Sequence, residues 1–131
     1  MPVITWNEAD YGTGVDFADD EHKILFDMLN ALHDAAPSGD RSLIGEKLDT
    51  LIGYVAEHFA HEEREMEARN YAGLAAHKVE HGKLVAAAVD IQTKFKGGDS
   101  NVSQETTQFI KGWLDTHIPN VDRLYESTLN S

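Results

Sequence analysis

The sequence contains no cysteine, and this absence removes two classes of metal site. Without thiolates, the chain cannot ligate an iron–sulfur cluster or a zinc ion of the cysteine type. A protein without cysteine also fits a reducing compartment, so we expect a cytoplasmic location. Any metal bound here must be held by imidazole nitrogens and carboxylate oxygens.

Basic residues are few. Eleven Lys plus Arg stand against 23 Asp plus Glu, which gives a formal charge of -12 at pH 7. This charge has the wrong sign for binding phosphate backbones or anionic membranes, so we expect no nucleic-acid partner. No apolar run approaches the roughly 18 residues of a membrane span. Residues 1–6 also lack the basic and apolar regions of a secretory signal.

Strand-like alternation and tandem repeats are absent, and apolar residues instead recur at helical spacing. Four such segments follow an N-terminal arm that is rich in turn residues. The first helix is expected to begin near Asp19 and Asp20 and to end at the turn of residues 37–39. The second runs to about Ala68, and the third ends at the cluster of residues 97–99, which includes Asp99.

The fourth helix is expected to begin near Ser103, a suitable N-cap, and to be broken by Pro119 before a short terminal helix. At 131 residues the chain has the length of one domain, and we expect residues 1–131 to form it. The predicted fold class is all-α. Short connections between four amphipathic helices predict an up-down-up-down four-helix bundle with an N-terminal arm and a short C-terminal helix.

Polar side chains fall on the apolar faces of these helices, where burial without a partner is costly. Five are histidines and two are carboxylates: His22, His58, Glu62, His77, His81, His117 and Asp122. Seven ligands are too many for one tetrahedral ion, so the set predicts a two-metal site. Imidazole mixed with carboxylate suits iron, manganese or zinc.

Helical periodicity chooses between neighbouring candidates on the second helix. At about 100° per residue, His58 and Glu62 continue the apolar stripe, whereas His61 and Glu63 fall off its opposite edges. Asp122 needs another argument, because five residues after His117 an unbroken helix would have turned by roughly 140°. A bend at Pro119 would bring the carboxylate back toward the site.

Simpler interpretations remain for individual residues. His58 with Glu62, or His77 with His81, could be surface pairs at helical spacing. His33 is expected to interact with the C-terminal end of the helix dipole and not with a metal. Two metal-binding motifs are excluded: the zincin motif, because Glu65 stands where its second histidine should be, and the ferritin-like Glu-x-x-His motif, because no glutamate has a histidine three residues later.

The stretch His58-Phe59-Ala60-His61-Glu62-Glu63-Arg64-Glu65-Met66, followed by Tyr71, His77 and His81, resembles the hemerythrins, in particular their bacterial single-domain form. The resemblance extends to Trp6, to Gly14-Val15 and residues 19–22, and to Trp113-Leu114, His117-Ile118 and Asp122. Glu21 is one departure, because bacterial members often carry glutamine just before the first histidine. This departure leaves every ligand in place, and we expect it to alter the surroundings of the ligands.

The resemblance implies two iron ions joined by an oxo or hydroxo bridge. His77, His81 and His117 would hold one iron, His22 and His58 would hold the other, and Glu62 and Asp122 would bridge them. The two-histidine iron would keep an open position for dioxygen. Reversible binding needs a dry pocket. Leu114, one helical turn before His117, is expected to form a wall of that pocket.

The implied function is reversible dioxygen binding for transport, storage or delivery to an oxygen-using enzyme. We therefore expect an oxygen-binding protein and not an enzyme, although weak peroxidase-like or nitric oxide chemistry is compatible with such a centre. One alternative is a di-iron enzyme that detoxifies peroxide or nitric oxide. Another is an oxygen or redox sensor module, which would need a separate partner because no signalling domain is attached.

Overall fold

Four long α-helices carry the fold of the computed structural model, which describes residues 3–98 and 102–129, the side chains of residues 102–104 excepted. They are α2 (Asp16–Ala35), α3 (Arg41–Ala68), α4 (Leu74–Lys96) and α5 (Val102–Asn120). Two short helices flank them, α1 (Glu8–Tyr11) and α6 (Glu126–Leu129). Single 3-10 turns lie at Ala36–Ser38 and Asp122–Tyr125. The predicted all-α class is confirmed.

The long helices form a ring in chain order. α2 packs on α3, α3 on α4 and α4 on α5, and α5 closes the ring against α2. Because the connections are short, consecutive helices run in opposite directions, as in the predicted up-down-up-down bundle. No helix among the described residues is long and apolar enough to cross a membrane.

The apolar stripes of the four helices meet in one core. Its most deeply buried members come from all four helices, and they include Leu25, Leu29, Leu32, Leu48, Leu51, Leu84, Ile110, Leu114 and Ile118. A second cluster joins the start of α2 and the end of α3 to the C-terminal elements, and contains Val15, Ala18, Met66, Tyr125 and Leu129. The C-terminal turn is therefore anchored at one end of the bundle.

One predicted helix start and one predicted N-cap are wrong. α2 begins at Asp16, about one turn before Asp19 and Asp20. Asp19 instead accepts hydrogen bonds from the backbone nitrogen of Thr13 at 2.9 Å and from its hydroxyl at 2.8 Å, so it holds the arm. α5 begins at Val102, near Ser103 as predicted, but Ser103 lies inside the helix and is not its N-cap. α4 ends at Lys96, as the glycines after it predict, and Asp99 lies outside the described residues.

The predicted helix break at Pro119 is also wrong, because α5 continues through this residue to Asn120. Proline cannot donate to the carbonyl of Asp115, but the backbone nitrogen of Val121 donates to His117 at 2.7 Å and keeps the last turn closed. The chain then changes to the 3-10 turn that begins with Asp122. The bend expected before Asp122 is present, but it comes after Asn120.

The N-terminal arm is fixed at both of its ends. The Asn30 side chain accepts from the backbone nitrogen of Val3 at 2.8 Å and donates to the carbonyl of Ile4 at 2.8 Å. Asn7 caps the short helix α1, which the sequence analysis did not predict. Arg123 donates to the carbonyl of Gly12 at 2.8 Å and so joins the arm to the C-terminal turn.

Candidate metal centre

All seven predicted ligand side chains lie together inside one end of the bundle. They come from the first half of α2, the second half of α3, the first half of α4, the end of α5 and the following 3-10 turn. In an up-down-up-down bundle these segments share one end. Each of the seven residues is between 0% and 3% exposed. The fold thus buries seven polar groups where an apolar core would otherwise continue.

The seven residues divide into two groups. In each group, one potential ligand atom from every residue lies within 4.8 Å of those of the others. The first group contains three histidines and one carboxylate, His77, His81, His117 and Asp122, and the second contains His22, His58 and Glu62. The division gives space for two ions, one with three imidazoles and one with two.

Both carboxylates contact histidines of both groups. Asp122 places Oδ1 2.9 Å from Nε2 of His77 and 2.7 Å from Nε2 of His117, and it places Oδ2 3.1 Å from Nε2 of His22. Glu62 places Oε1 3.2 Å from Nε2 of His58 and 3.3 Å from Nε2 of His81. Each carboxylate therefore stands between the two groups, where a bridging ligand would stand.

Several of these atoms are buried without a hydrogen-bond partner, although they lie close together. The Nε2 atoms of His58, His77, His81 and His117, with Glu62 Oε1 and Asp122 Oδ1, all lack a partner in hydrogen-bonding geometry. A buried polar atom without a partner costs about 1–3 kcal/mol. Cations between the converging lone pairs would satisfy all of them, so these residues fit a pair of metal ions.

The metal-free site balances its charges with protons. Burial alone would raise the pKa of Asp122, but His117, His22 and His77 hold it well below its ordinary value. Burial alone would lower the pKa of His58, but the carboxylates of Glu62 and Glu21 raise it to about 10. Positive charge is therefore favoured between these carboxylates, as it would be for a cation-binding site.

Comparison with known proteins identifies the family. Residues 13–129 match the family model described as the hemerythrin HHE cation binding domain. The chain belongs to the hemerythrin family. It is 53% identical to the bacteriohemerythrin of Methylococcus capsulatus over the full length of both chains. It is 30% identical to the myohemerythrin of Riftia pachyptila, over 85% of this chain and 91% of that one.

Solved hemerythrin structures have the same fold. A wild-type hemerythrin superposes with a TM-score of 0.95 at 53% identity, covering 98% of this chain and 99% of its own. The L114A mutant of hemerythrin gives a TM-score of 0.96 at 52% identity over all of both chains. Hemerythrins bind dioxygen and are not enzymes. The predicted family, the four-helix fold and the oxygen-binding function are confirmed.

Two glutamates outside the predicted set support ligand histidines. Glu21 places Oε1 2.7 Å from Nδ1 of His58, and Glu63 places Oε2 2.9 Å from Nδ1 of His81. An ionised carboxylate only accepts hydrogen bonds, so each Nδ1 donates and each Nε2 is left free for a metal. Glu63 lies off the apolar stripe, as helical periodicity predicted, but the periodicity of α3 gives no sign of its contact with α4.

Tyr125 is a third residue that the sequence analysis missed. Its buried hydroxyl donates to Glu62 Oε2 at 2.6 Å, which orients the carboxylate and satisfies its second oxygen. Tyr125 follows Asp122 by one turn of the 3-10 segment. No helical periodicity reaches this position, so only its nearness to Asp122 in the sequence could have suggested it.

Aromatic rings hold two of the imidazoles flat against the core. Phe59 stacks on His81 with ring centroids 3.7 Å apart and planes 2° from parallel. Trp113 stacks on His117 with centroids 3.9 Å apart and planes at 16°. Phe59 belongs to the apolar core, and Trp113 packs against it. Their position against the imidazoles means that they also set the directions of the nitrogen lone pairs.

A small apolar cavity adjoins this site. Its volume is about 10 Å³, and it is lined by Leu25, Leu51, Val55, Phe59, Leu84, Ile110, Trp113 and Leu114. This volume admits roughly one water-sized sphere, but the lining offers a water molecule few hydrogen bonds. Phe59 and Trp113 stack on imidazoles of the three-histidine group. Leu25 and Val55, also in the lining, lie one helical turn from the two histidines of the other group. Leu114 thus lies in the lining of a dry space beside the site.

Proposed function

We propose that this chain binds dioxygen reversibly at a non-haem di-iron centre with an oxo or hydroxo bridge. The observation that carries the proposal is the pair of adjacent, buried ligand groups whose two carboxylates each contact both groups. When bound, two ferrous ions supply the two electrons that dioxygen accepts on binding and returns on release. The protein must hold the ions, admit dioxygen and exclude water.

Three histidines, His77, His81 and His117, would hold one ion, and His22 and His58 would hold the other. Glu62 and Asp122, which contact both groups, would be shared between the ions. The two-histidine ion would have one protein ligand fewer and so would leave room for an exogenous ligand. The Nδ1 contacts of His58 and His81 keep their Nε2 atoms directed into the site.

Leu114 is proposed as a wall of the oxygen pocket. The cavity that it lines has an apolar lining, and no charged side chain contributes to it. A dry pocket favours release of intact dioxygen, because water or a nearby proton donor would promote loss of reduced oxygen and leave both irons ferric. Leu114 is therefore proposed to favour the release of intact dioxygen over oxidation of the irons.

The wider role follows from this chemistry. We propose that residues 1–131 act as one domain in the cytoplasm, where a cysteine-free chain suits reducing conditions. Transport, storage and delivery to an oxygen-using enzyme all use the same reversible site. Reversible binding releases dioxygen unchanged, whereas an enzyme would convert peroxide or nitric oxide into products. Both kinds of protein could use the same metal ligands, so only a measurement of product formation separates them.

An optical spectrum of the purified protein, first deoxygenated and then exposed to oxygen, tests the proposal together with an iron count. We expect about two irons per chain, on the logic of bridged two-metal sites. We also expect an oxygen-dependent absorption band that disappears on deoxygenation and returns on re-exposure. A content of mainly zinc, or of one metal per chain, would contradict the di-iron centre. Steady oxygen consumption without release would favour the enzyme alternative.

A further inference from the structure

In two pairs of consecutive residues, one side chain faces the metal site and the other contacts a ligand histidine on the next helix. In Glu21-His22 on α2, His22 faces the metal groups and Glu21 contacts His58 on α3. In Glu62-Glu63 on α3, Glu62 faces the groups and Glu63 contacts His81 on α4. Neighbours on a helix differ by about 100° in direction, so one can enter the site while the next supports the adjacent helix.

Glu21 differs from Glu63 because it contacts a second imidazole. Its Oε1 lies 2.7 Å from His58 Nδ1, and its Oε2 lies 2.6 Å from His61 Nδ1. The side chain of His58 is 1% exposed, that of Glu21 21% and that of His61 33%. These three side chains therefore connect the buried two-histidine group to the surface.

A carboxylate can make both contacts while both imidazoles donate, because it has two acceptor oxygens for the Nδ1 hydrogens of His58 and His61. Glutamine offers one acceptor oxygen and one donor nitrogen, so it keeps both contacts only if His61 moves its proton to Nε2 and accepts at Nδ1. The pocket outside this chain of contacts has a volume of about 310 Å³, and Glu21, Glu57 and His61 are among its lining residues.

We propose that Glu21, held by His61, is a positioning residue that aims His58 at the two-histidine ion and places a negative charge next to it. This inference rests on the proposed di-iron function. Outer carboxylates of this kind raise the basicity of a ligand imidazole and fix its tautomer. The added charge stabilises the ferric state, so Glu21 lowers the reduction potential of the pair. The three-histidine ion has a comparable outer contact through Glu63.

The test compares Glu21→Gln with Glu57→Gln in the iron-loaded protein. Both variants remove one negative charge from the same pocket, but no hydrogen bond or ion pair joins Glu57 to an imidazole among the described contacts. For Glu21→Gln we expect a more positive reduction potential and iron release to a chelator that is about 10- to 100-fold faster. Glu57→Gln should keep the potential and the release rate of the parent.

A second variant, Glu21→Asp, distinguishes the effect of the negative charge from the effect of side-chain length. It also provides the test if Glu21→Gln fails to fold. The shorter carboxylate keeps the charge but cannot span both imidazoles, so iron release should quicken while the potential stays closer to that of the parent. Equal potentials and equal release rates in Glu21→Gln, Glu57→Gln and the parent would overturn the positioning role. Failure of the parent itself to bind two irons would instead overturn the proposed function.

Discussion

At the scale of single residues, two consecutive glutamates on α3 have different tasks. Glu62 is fully buried with Oε1 between the two histidine groups, whereas the side chain of Glu63 is 25% exposed and contacts His81 from outside the site. We predict that Glu62→Ala abolishes the paired site, while Glu63→Ala keeps two irons but loses them to a chelator about 10- to 100-fold faster. Iron counts and release rates check this. Equal iron content in the two purified variants would contradict the difference in role.

Tyr125 gives a prediction on stability. In Tyr125→Phe, Glu62 Oε2 would lose its donor while remaining buried, so the free energy of unfolding should fall by about 1–3 kcal/mol. Urea unfolding of the iron-loaded protein measures this change. Tyr54→Phe is the matched control, because Tyr54 is half-buried on α3 and lies outside the metal site; its effect should stay within about 0.5 kcal/mol. Similar losses in both variants would argue against the contact with Glu62.

Leu114 gives a prediction on oxygen chemistry. Leu114→Ala leaves every candidate ligand in place but enlarges an apolar cavity of about 10 Å³ beside the site. Water and anions should then reach the two-histidine ion more easily, so oxygenated protein should decay faster to the diferric form. Decay at matched pH and stopped-flow azide entry measure the effect. Ile44→Val, a smaller change in the core away from the cavity lining, is a suitable control. Unchanged decay and entry would remove Leu114 from the pocket.

The sequence predicted the positions that converge at the site, because helical periodicity decides which polar residues face the core. His58 and Glu62 follow the apolar stripe of α3, and the structure buries both. Glu21 and Tyr125 could not be predicted in the same way. Glu21 reaches across to another helix from the edge of its own, and Tyr125 lies in a 3-10 turn where the 3.6-residue period does not apply.

At the scale of elements, the helices were easier to predict than their ends. Asp19 is a good N-cap by residue type, but its carboxylate accepts from Thr13 while α2 already begins at Asp16. The contact of Asp19 with the N-terminal arm thus takes the place of the helix-capping role that its residue type favours. Pro119 was expected to end α5 directly, yet a proline in the last turn removes only one donor. The turn that brings Asp122 to the site is held by contacts distant in sequence, which a local pattern cannot reveal.

One of those distant contacts is the link between Arg123 and the N-terminal arm. Its guanidinium donates through Nε to the carbonyl of Gly12 at 2.8 Å and through Nη2 to that of Ala9 at 2.6 Å. We predict that Arg123→Ala lowers the unfolding free energy by about 1–3 kcal/mol, since charged donors to carbonyls contribute more than neutral ones but these lie partly in solvent. Thermal or urea unfolding measures it. Arg64→Ala, in an exposed position on α3, should change stability much less.

At the scale of the whole molecule, metal binding and protonation compete for the same buried space. His58 in the metal-free protein has a pKa of about 10, and the pKa of His77 is also raised by Asp122 against the opposing effect of burial. The His58 imidazole therefore carries a proton at neutral pH, and the His77 imidazole keeps its proton to a higher pH than an ordinary histidine does. Burial would raise the pKa of Glu62 and Asp122, but their histidine neighbours hold both values below the ordinary range. The carboxylates are therefore already ionised before a metal arrives.

The sign of the pH dependence follows from these directions. A raised histidine pKa stabilises the metal-free fold below the unfolded value of about 6.5, and this stabilisation is lost as pH rises through the folded value of about 10. Iron needs neutral imidazole and must displace those protons, whereas the ionised carboxylates release none. Lower pH thus favours the metal-free protein, and higher pH favours the iron-bound protein.

We predict that anaerobic addition of ferrous iron at pH 7 releases about one proton per chain or more, chiefly from His58, with a contribution from His77 because its pKa is raised. The apparent affinity should rise with pH between about 6.5 and 8, by about tenfold per unit for each proton displaced. A pH indicator in weakly buffered solution counts the protons, and chelator competition measures the affinity. The gap between the unfolding midpoints of the iron-bound and metal-free proteins should widen over the same range. An affinity independent of pH, with no proton release, would show that the imidazoles are already neutral and that the buried carboxylates are not balanced by protons.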